Sequence, residues 1–371
     1  MTADQNHING DPIALQIDRA VGELRRGRAI ELTSESAGFV FTAAENVSAP
    51  LLARIAAGAE NPVQLAITAQ RAEALGIDSA GGPVSIELAA DCRIDEIRAL
   101  SGVVSVTPPN ISGRARAMTG ATEKAITAAL QLAKAGRLLP ALIWSEQTRT
   151  DDHSLLSMPV AHIAPSTSFL KHRLKRISQA KVPLADAVNS EIAVFRDEHT
   201  LAEHIAIIVG EPRLDDVVPV RLHSACLTGD LLSSLRCDCG EQLRTAVARI
   251  AELGGGVLLY LDQEGRGIGL ANKLRAYALQ DKGLDTVDAD QHLGFLADER
   301  SYLVAAVMLQ ELSISRVNLL TNNPQKIDAL NEYGIEVVGR VPLIATTNAH
   351  NERYIRAKRE RAGHLAEESN G

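Results

Sequence analysis

Apolar runs of strand length alternate with runs of helical length along most of this chain, which restricts it to packed layers of sheet and helix. The alternation occurs in two blocks. In the first, from Pro12 to about Gln147, Ile17, Val21 and Leu24 share one helical face; residues 29–32, 38–42, 84–88 and 139–144 are of strand type, and 125–135 predict a helix. In the second, from Ile192 onward, strands are expected at 217–222, 256–261, 317–320 and 336–341, and helices at 243–253, 267–280, 299–312 and 325–333. Gly334 then stands where a helix C-terminal cap belongs. Two such blocks in 371 residues predict two domains of the α/β (α+β) class, each a mixed sheet with packed helices.

Aromatic residues make up only 3% of the chain against 46% hydrophobic, so Ala, Val, Ile and Leu must fill the cores. The net charge of -8 argues against a general nucleic-acid or membrane-surface role, so an anionic ligand would have to meet a local cluster of Arg and Lys. No run is apolar and long enough to cross a bilayer, and residues 1–11 lack the basic start and apolar stretch of a signal peptide. A soluble cytoplasmic protein with no nucleic-acid and no membrane partner is the expectation. Residues 1–11 are expected to be disordered, 12–165 to form the first domain, 166–190 a junction, 191–360 the second domain and 361–371 a flexible tail. The stretch 148–190 is rich in Thr, Ser and Asp, and its basic cluster (Lys171, His172, Arg173, Lys175, Arg176) reads as a solvated helix face.

Three of the four cysteines, Cys226, Cys237 and Cys239, crowd into one segment, and in a reducing compartment that pattern suggests a metal rather than disulfides. Cys237 and Cys239 are two apart and would point to one side of an extended segment; Thr228, Gly229 and Asp230 supply the turn that returns Cys226 to them. Three thiolates suit zinc, and a three-ligand site leaves the fourth position to water, the arrangement that activates water for attack on an electron-poor ring carbon. The alternatives are three buried free cysteines, or a structural zinc with His223 as fourth ligand; spacing alone leaves these open.

Residues 262–269, Asp-Gln-Glu-Gly-Arg-Gly-Ile-Gly, follow one expected strand and open the next helix. Glycines so placed let backbone N–H groups approach an anion, although a flexible strand-to-helix turn has the same composition. Two further helix starts carry cations against the helix dipole. Arg300 follows Asp298, which reads as an N-cap, and Lys326 follows Pro324 at a first helical position. A bound phosphate would resolve that conflict; side chains reaching into solvent would also do so. Together with Arg221 and Arg266 they favour a polyphosphate ligand.

The runs Arg-Leu-His-Ser-Ala-Cys-Leu-Thr-Gly-Asp from 221, Leu-Arg-Cys-Asp-Cys-Gly from 235, Gln-Glu-Gly-Arg-Gly-Ile-Gly-Leu from 263, Lys-Leu-Arg-Ala-Tyr-Ala-Leu-Gln from 273, Ala-Asp-Glu-Arg from 297, Leu-Thr-Asn-Asn-Pro from 320 and Arg-Val-Pro-Leu from 340 resemble, in order, the signature of GTP cyclohydrolase II, from about Leu174 to the C-terminus. The resemblance implies one zinc per chain on Cys226, Cys237 and Cys239, and GTP contacts from Arg221, Leu222, His223, Ser224, Ala225, Gln242, Glu264, Gly265, Arg266, Thr286, Thr321 and Lys326. It also implies that Arg300 attacks the α-phosphorus to give a guanylyl–enzyme intermediate, with Asp298 as proton acceptor, and that Tyr277 assists ring opening. Mg2+ would accompany the triphosphate, and the chain would be a homodimer in riboflavin biosynthesis. From the residues alone, Arg300 reads as a charge clamp, because an arginine is normally protonated and a poor nucleophile. Tyr277 reads equally as a helix residue packing beside Leu270 and Leu274. One departure stands out: Ala225 occupies a position where many members of that family carry Glu.

The N-terminal block resembles a second family. Residues 17–28, Ile-Asp-Arg-Ala-Val-Gly-Glu-Leu-Arg-Arg-Gly-Arg, and the run Gly-Ala-Thr-Glu-Lys-Ala-Ile-Thr from 120 are similar to parts of 3,4-dihydroxy-2-butanone 4-phosphate synthase, an enzyme that some bacteria fuse to GTP cyclohydrolase II. The acidic metal-binding loop of that family is replaced here by Leu-Thr-Ser-Glu-Ser-Ala-Gly from 32, and its metal-binding His by Ala121. A retained fold with lost chemistry follows. For the whole chain the expected activity is release of formate from GTP. The alternatives are a paralogue stopping at a formamide product and a GTP-binding regulatory protein with an inactive site; the presence of Tyr277, Arg300 and the cysteines counts against the second.

Overall fold

The computed structural model describes residues 12–343, except 36, 105–107, 112, 148–154, 164–173, 199 and 214. The expectations of disorder at 1–11 and a flexible tail at 361–371, and the basic residues Lys171, His172 and Arg173, lie outside the described residues. The chain divides into two compact units. The first comprises Met1–Pro165, Ala271–Leu284 and Asp288–Asp298, and the second Ser166–Leu270, Asp285–Val287 and Glu299–Gly371. Each contains a seven-stranded mixed sheet.

In the first unit the N-terminal elements are α1 (Pro12–Arg25), β1 (Ile30–Thr33), β2 (Gly38–Ala43), α2 (Ala49–Gly58), β3 (Gln64–Ile67), α3 (Ala69–Ala74), β4 (Val84–Glu87), α4 (Ile94–Ser101), β5 (Ala115–Ala117), α5 (Gly120–Ala135), β6 (Ala141–Gln147) and β7 (Leu156–Pro159). The strand order is β5-β4-β3-β6-β2-β1-β7, antiparallel except for the β1–β7 pair. Every residue of β2 is buried, because both faces of the sheet are covered. Phe39 and Phe41 pack with Ala20 and Leu24 of α1 and Ile126 and Ala129 of α5, whereas Val40, on the opposite face, packs with Ile55 of α2 and Ile97 and Leu100 of α4. Each large apolar side chain buried this way contributes about 1.5–3 kcal/mol. Trp144 lies beside both phenylalanines and donates from Nε1 to Ser85 Oγ at 2.8 Å, so its one polar atom is satisfied.

The second block supplies β8 (Leu174–Lys181), β9 (Ser190–Asp197), β10 (Glu203–Gly210), β11 (Val218–Ser224), α6 (Cys239–Glu252), β12 (Gly255–Leu261), α7 (Leu270–Gln280), α8 (Thr286–His292), α9 (Leu303–Glu311), β13 (Arg316–Leu320), α10 (Pro324–Glu332) and β14 (Glu336–Val341). Of these, most of α7 and most of α8 belong to the first unit. The sheet order is β14-β13-β11-β12-β10-β9-β8. The β14-β13-β11-β12 half is parallel, and β10, β9 and β8 continue it as an antiparallel meander. The chain leaves β11 toward β12 on one side and leaves β13 toward β14 on the other. The switch of direction therefore falls between β11 and β13, and open α/β sheets form their ligand crevice outside the carboxyl ends of strands at such a point.

Three expectations need correction. The helix expected at 299–312 begins at Leu303, so Asp298 is not its N-cap and Arg300 is not at its positive end. The backbone of 299–301 is engaged elsewhere: Glu299 N donates to Arg266 O at 3.1 Å, and Ser301 O accepts from Gln263 Nε2 at 2.6 Å. The helix expected from 267 begins at Leu270, because Gly265, Arg266, Gly267 and Gly269 all take positive φ. Lys175 and Arg176 lie on β8 rather than on a helix face. β8 is the sheet's edge and is exposed from Lys175 to Lys181, and charge on an edge discourages pairing with another chain.

Candidate metal and nucleotide site

The three adjacent parallel strands β13, β11 and β12 end at Leu320, Ser224 and Leu261, and each opens directly into one of the motifs. The cysteine segment follows β11, the glycine loop follows β12, and Thr321-Asn322-Asn323 follows β13. Motifs distant in sequence therefore share one end of the sheet.

The chain leaves β11 through Cys226 into a wide one-turn π-helix, Leu227–Leu231, closed by Leu232 N donating to Leu227 O at 3.3 Å, and Asp230 N donates to Cys226 O at 2.7 Å at its start. The ligating sulfurs of Cys226, Cys237 and Cys239 all lie within 4.8 Å of one another, and the Cys226–Cys237 separation is 3.7 Å. Tetrahedral zinc with Zn–S bonds of about 2.3 Å sets its sulfurs about 3.8 Å apart. The backbone is fitted to this cluster: a Cβ on Gly229 would lie 2.7 Å from Cys237 Sγ and 3.2 Å from Cys226 Sγ. The Cys237 thiol is pushed up, first by its hydrogen bond with Cys226, a crowding of potential anions that a cation would relieve. The expected extended segment at 237–239 is corrected. Asp238 takes φ -102, ψ 7 and Cys239 opens α6, because Asp238 O already accepts the first helical bond, from Gln242 N at 3.0 Å.

His223 is not part of the cluster. Its Nε2 lies 3.2 Å from both oxygens of Asp230, and its ring stacks on Tyr260 at 5.5 Å. Burial, ahead of other causes, lowers its pKa, so a neutral imidazole donates to the carboxylate. Asp230 Oδ2 also accepts from Tyr260 OH and Cys226 N, each at 2.9 Å. Burial and the charge of Asp230 raise the Tyr260 phenol, which keeps its donor proton. Asp230 thus gathers the end of β11, the first cysteine and β12. Sequence reasoning used Asp230 only as a turn residue and missed Tyr260, which carries no motif of its own.

A cationic group surrounds the β11–β13 switch. Arg221 is buried and donates from Nη1 to Leu320 O at 2.8 Å and from Nη2 to Gln242 Oε1 at 2.6 Å; Gln242 in turn donates to Asp238 Oδ2 at 2.6 Å. Burial pushes Arg221 down to about 10, which leaves it charged at neutral pH, and its buried Nε has no hydrogen-bond partner among the described residues. Lys326, in the first turn of α10, donates from Nζ to Leu222 O at 2.7 Å. Arg300 and Lys326 both stand over Tyr302, at 5.5 and 5.9 Å from its ring centre, and Arg300 Nη1 is 3.5 Å from Ser224 Oγ. Tyr302 is a second residue that sequence reasoning missed, since it reads there as the apolar start of a helix.

The glycine loop joins the cysteine segment through Glu264. Its Oε2 accepts from Leu227 N at 2.6 Å and its Oε1 from Gly265 N at 3.0 Å. Ala225, partly exposed, offers no carboxylate; its N–H donates to Leu261 O at 2.8 Å. Thr321 is buried and its Oγ1 accepts from Asn323 N at 3.0 Å, closing the turn that leads into α10. Thr286 opens α8 within the short 285–287 piece of the second unit. The structure thus collects Arg221, Leu222, His223, Ser224, Ala225, the cysteines, Gln242, Glu264, Gly265, Arg266, Thr286, Arg300, Thr321 and Lys326 in the second unit, and places Tyr277 and Asp298 in the first. Tyr277 is partly exposed on α7, with Lys273 Nζ 5.8 Å from its ring centre.

Among the described residues, no second group of three or more His, Cys, Asp or Glu side chains comes within ligating distance. In the N-terminal domain, Glu45 Oε2 accepts from Leu139 N at 2.9 Å and from Arg275 Nη1 at 3.1 Å, which commits it structurally. Among the described residues no helix is long and apolar enough to cross a membrane.

Comparison with known proteins agrees with this geometry. The sequence profile of GTP cyclohydrolase II matches residues 175–342. A GTP cyclohydrolase-2 of Azospirillum brasilense is 44% identical over 359 residues, covering 94% of this chain and 93% of that protein. A GTP cyclohydrolase-2 of Shewanella amazonensis is 51% identical over 195 residues, covering 53% of this chain and 95% of that protein. Among solved structures, a two-domain 3,4-dihydroxy-2-butanone 4-phosphate synthase from A. baumannii aligns over 89% of this chain and 99% of that one, at 18% identity and a TM-score of 0.30.

Proposed function

The chain belongs to the GTP cyclohydrolase II family, and we propose that it hydrolyses GTP to a diaminopyrimidinone ribosyl phosphate, formate and pyrophosphate, a reaction of riboflavin biosynthesis. The observation that carries this reading is the coincidence of a three-sulfur cluster of zinc dimensions with Arg221, Lys326 and Arg300 at one end of three parallel strands. Cys226, Cys237 and Cys239 would hold one zinc per chain, which when bound supplies a Lewis acid that lowers the pKa of water for attack on the purine.

The remaining roles belong to the chain's own groups. Arg221 and Lys326 meet the triphosphate, which arrives with Mg2+, while Gln242, Glu264, Arg266 and Thr321 fix the loops that line it. Arg300 attacks the α-phosphorus: a P–N bond forms, the α–β bridging P–O bond breaks, pyrophosphate leaves and Asp298 accepts the guanidinium proton. Holding the reacting atoms in line is where such a site gains most of its rate. Tyr277 serves ring opening as a proton donor or acceptor beside the base. Two waters are consumed in releasing the ring carbon as formate, and a third frees the nucleotide from Arg300. The chain acts as a cytoplasmic homodimer in this reading.

The test is incubation of zinc-loaded protein with GTP and magnesium, followed by mass analysis. Formate, pyrophosphate and the deformylated product in equal amounts support the reading. GTP bound without turnover would instead identify a regulatory protein, and a formamide end product a truncated reaction.

A further inference from the structure

The segment that carries Tyr277 and Asp298 is fastened to the N-terminal domain at two points, both inside the first unit. At the first, Asn272 on α7 is fully buried; its Nδ2 donates to Arg137 O at 3.0 Å and its Oδ1 accepts from Arg275 Nη1 at 2.5 Å. Arg275 Nη1 also reaches Glu45 Oε2 at 3.1 Å, and that oxygen is fixed by Leu139 N.

The second point is Arg71 on α3, whose side chain is buried. Its guanidinium donates to three carbonyls: from Nε to Leu100 O at 2.8 Å, from Nη2 to Ala99 O at 2.8 Å and from Nη1 to His292 O at 2.7 Å. Ala99 and Leu100 lie in the last turn of α4, and His292 ends α8, so one cation caps two helix C-termini, where orphan carbonyls and the helix dipole favour it. Beside it, Thr68 Oγ1 donates to Gly294 O at 2.8 Å. Gly294 has φ +90, and a Cβ there would meet Thr68 Oγ1 at 2.8 Å and Pro140 Cγ at 3.1 Å, so only glycine permits this approach. Leu293 and Phe295, on either side of it, are buried. Tyr277 lies in sequence between the two fastenings, and Asp298 three residues beyond Phe295.

We infer that Arg71 and Thr68 are positioning residues for the cyclohydrolase reaction, holding the Tyr277- and Asp298-bearing segment in its working conformation. This assignment rests on the function proposed above. It gives the N-terminal domain a task independent of any chemistry of its own: the rigid support that a relative about half as long must supply in another way. The phosphate-facing cations, Arg221 and Lys326, and the cysteines belong to the second unit and are not fastened by this clamp.

The test uses the full-length, zinc-loaded protein carrying Arg71→Ala, with Arg71→Lys as the milder variant because a lysine keeps the charge but not the three-way fork. Two readouts are taken. Native-state hydrogen exchange should show amides 292–297 losing protection on the order of tenfold or more, selectively over the strands of the first sheet. Steady-state kinetics should show kcat falling roughly 10- to 100-fold, with KM for GTP and zinc stoichiometry held, and partial recovery in Arg71→Lys. Unchanged protection at 292–297, or loss spread evenly over the first unit, overturns the clamp. Selective loss of protection with unchanged kcat overturns its role in the reaction. If the wild-type protein releases no formate, the functional reading fails, while the exchange experiment still decides whether Arg71 holds the segment.

Discussion

Replacing Gly229 with alanine puts a methyl carbon 2.7 Å from Cys237 Sγ, 2.9 Å from Cys239 Cβ and 3.2 Å from Cys226 Sγ. Nonbonded atoms of this kind rest about 3.5–4.0 Å apart, so the Cys237 sulfur must retreat by roughly 1 Å. Metal–ligand distances tolerate about 0.2 Å, so zinc affinity should fall about 10- to 100-fold or more. The sign of the stability change is diagnostic. Gly229 is not at positive φ, and in open space alanine there would stabilise by about 0.4–1 kcal/mol through the unfolded chain. Overpacking costs about 1–3 kcal/mol, so the metal-free variant should be less stable than the metal-free parent. The assay is competition for zinc against a chromophoric chelator, with urea unfolding in excess chelator. Leu231→Ala, at a side chain 72% exposed in the same turn, serves as the control and should change neither quantity. A Gly229→Ala protein that binds zinc as the parent does, or gains stability without metal, would refute the argument that the turn is built around the sulfurs.

Cys237→Ser should abolish formate release together with stoichiometric zinc binding; an active, zinc-free protein would sink the metal assignment. Arg300→Ala should block pyrophosphate release, and Tyr277→Phe should slow ring opening roughly 100-fold or more while GTP still binds, so full formate production by the Tyr277 variant would remove that residue from the chemistry. Burial lowers His223, and burial followed by the charge of Arg71 lowers His292, so both bind a proton more readily in the unfolded chain than in the folded one. Stability is then fully present above about pH 6.5 and is lost as pH falls through the window toward the folded values; urea midpoints should drop across it, and less so in His292→Asn. The N-terminal domain should form no dihydroxybutanone phosphate from ribulose 5-phosphate with any divalent metal, since no ligand cluster exists there among the described residues and Glu45 is held by Leu139 and Arg275.

What was legible in the sequence was legible for local reasons. Cys226, Cys237 and Cys239 sit within fourteen positions of one another, and a turn residue between them is enough to close the cluster. Strands β11 to β14 were read to within two residues at each end because buried parallel strands are short continuous apolar runs bounded by turns. The failures have separate physical origins. Nothing near Glu299 announces that its N–H is taken by Arg266 O, so a helix was extended through 299–302 that the structure does not form. Asp238 reads as the outward residue of an extended pair, yet it is buried, with its carboxylate accepting from Gln242, whose own oxygen accepts from the Arg221 guanidinium. The edge strand β8 was hidden in a basic run because its exposed face carries no alternation to read.

Residues 271–284 and 288–298 group with the N-terminal elements. Their motif belongs to the cyclohydrolase half by sequence, and every local pattern assigns them there. The bonds that fix them run to Thr68 and Arg71, more than 200 positions earlier, and no periodicity carries information over that distance. This interleaving has an energetic consequence. If Tyr277 acts only when its segment is docked, the observed kcat scales with the docked fraction, and a well-docked segment hides small defects. A small weakening of docking leaves kcat intact, whereas loss of the three-way Arg71 fork carries the segment past the point at which the open state dominates; there each further 1.4 kcal/mol costs about tenfold. Core substitutions in the N-terminal sheet should therefore act on turnover with a threshold, whereas substitutions at Arg71 act directly on the segment. A domain with no ligand cluster of its own among the described residues can in this way still bear on the turnover proposed above.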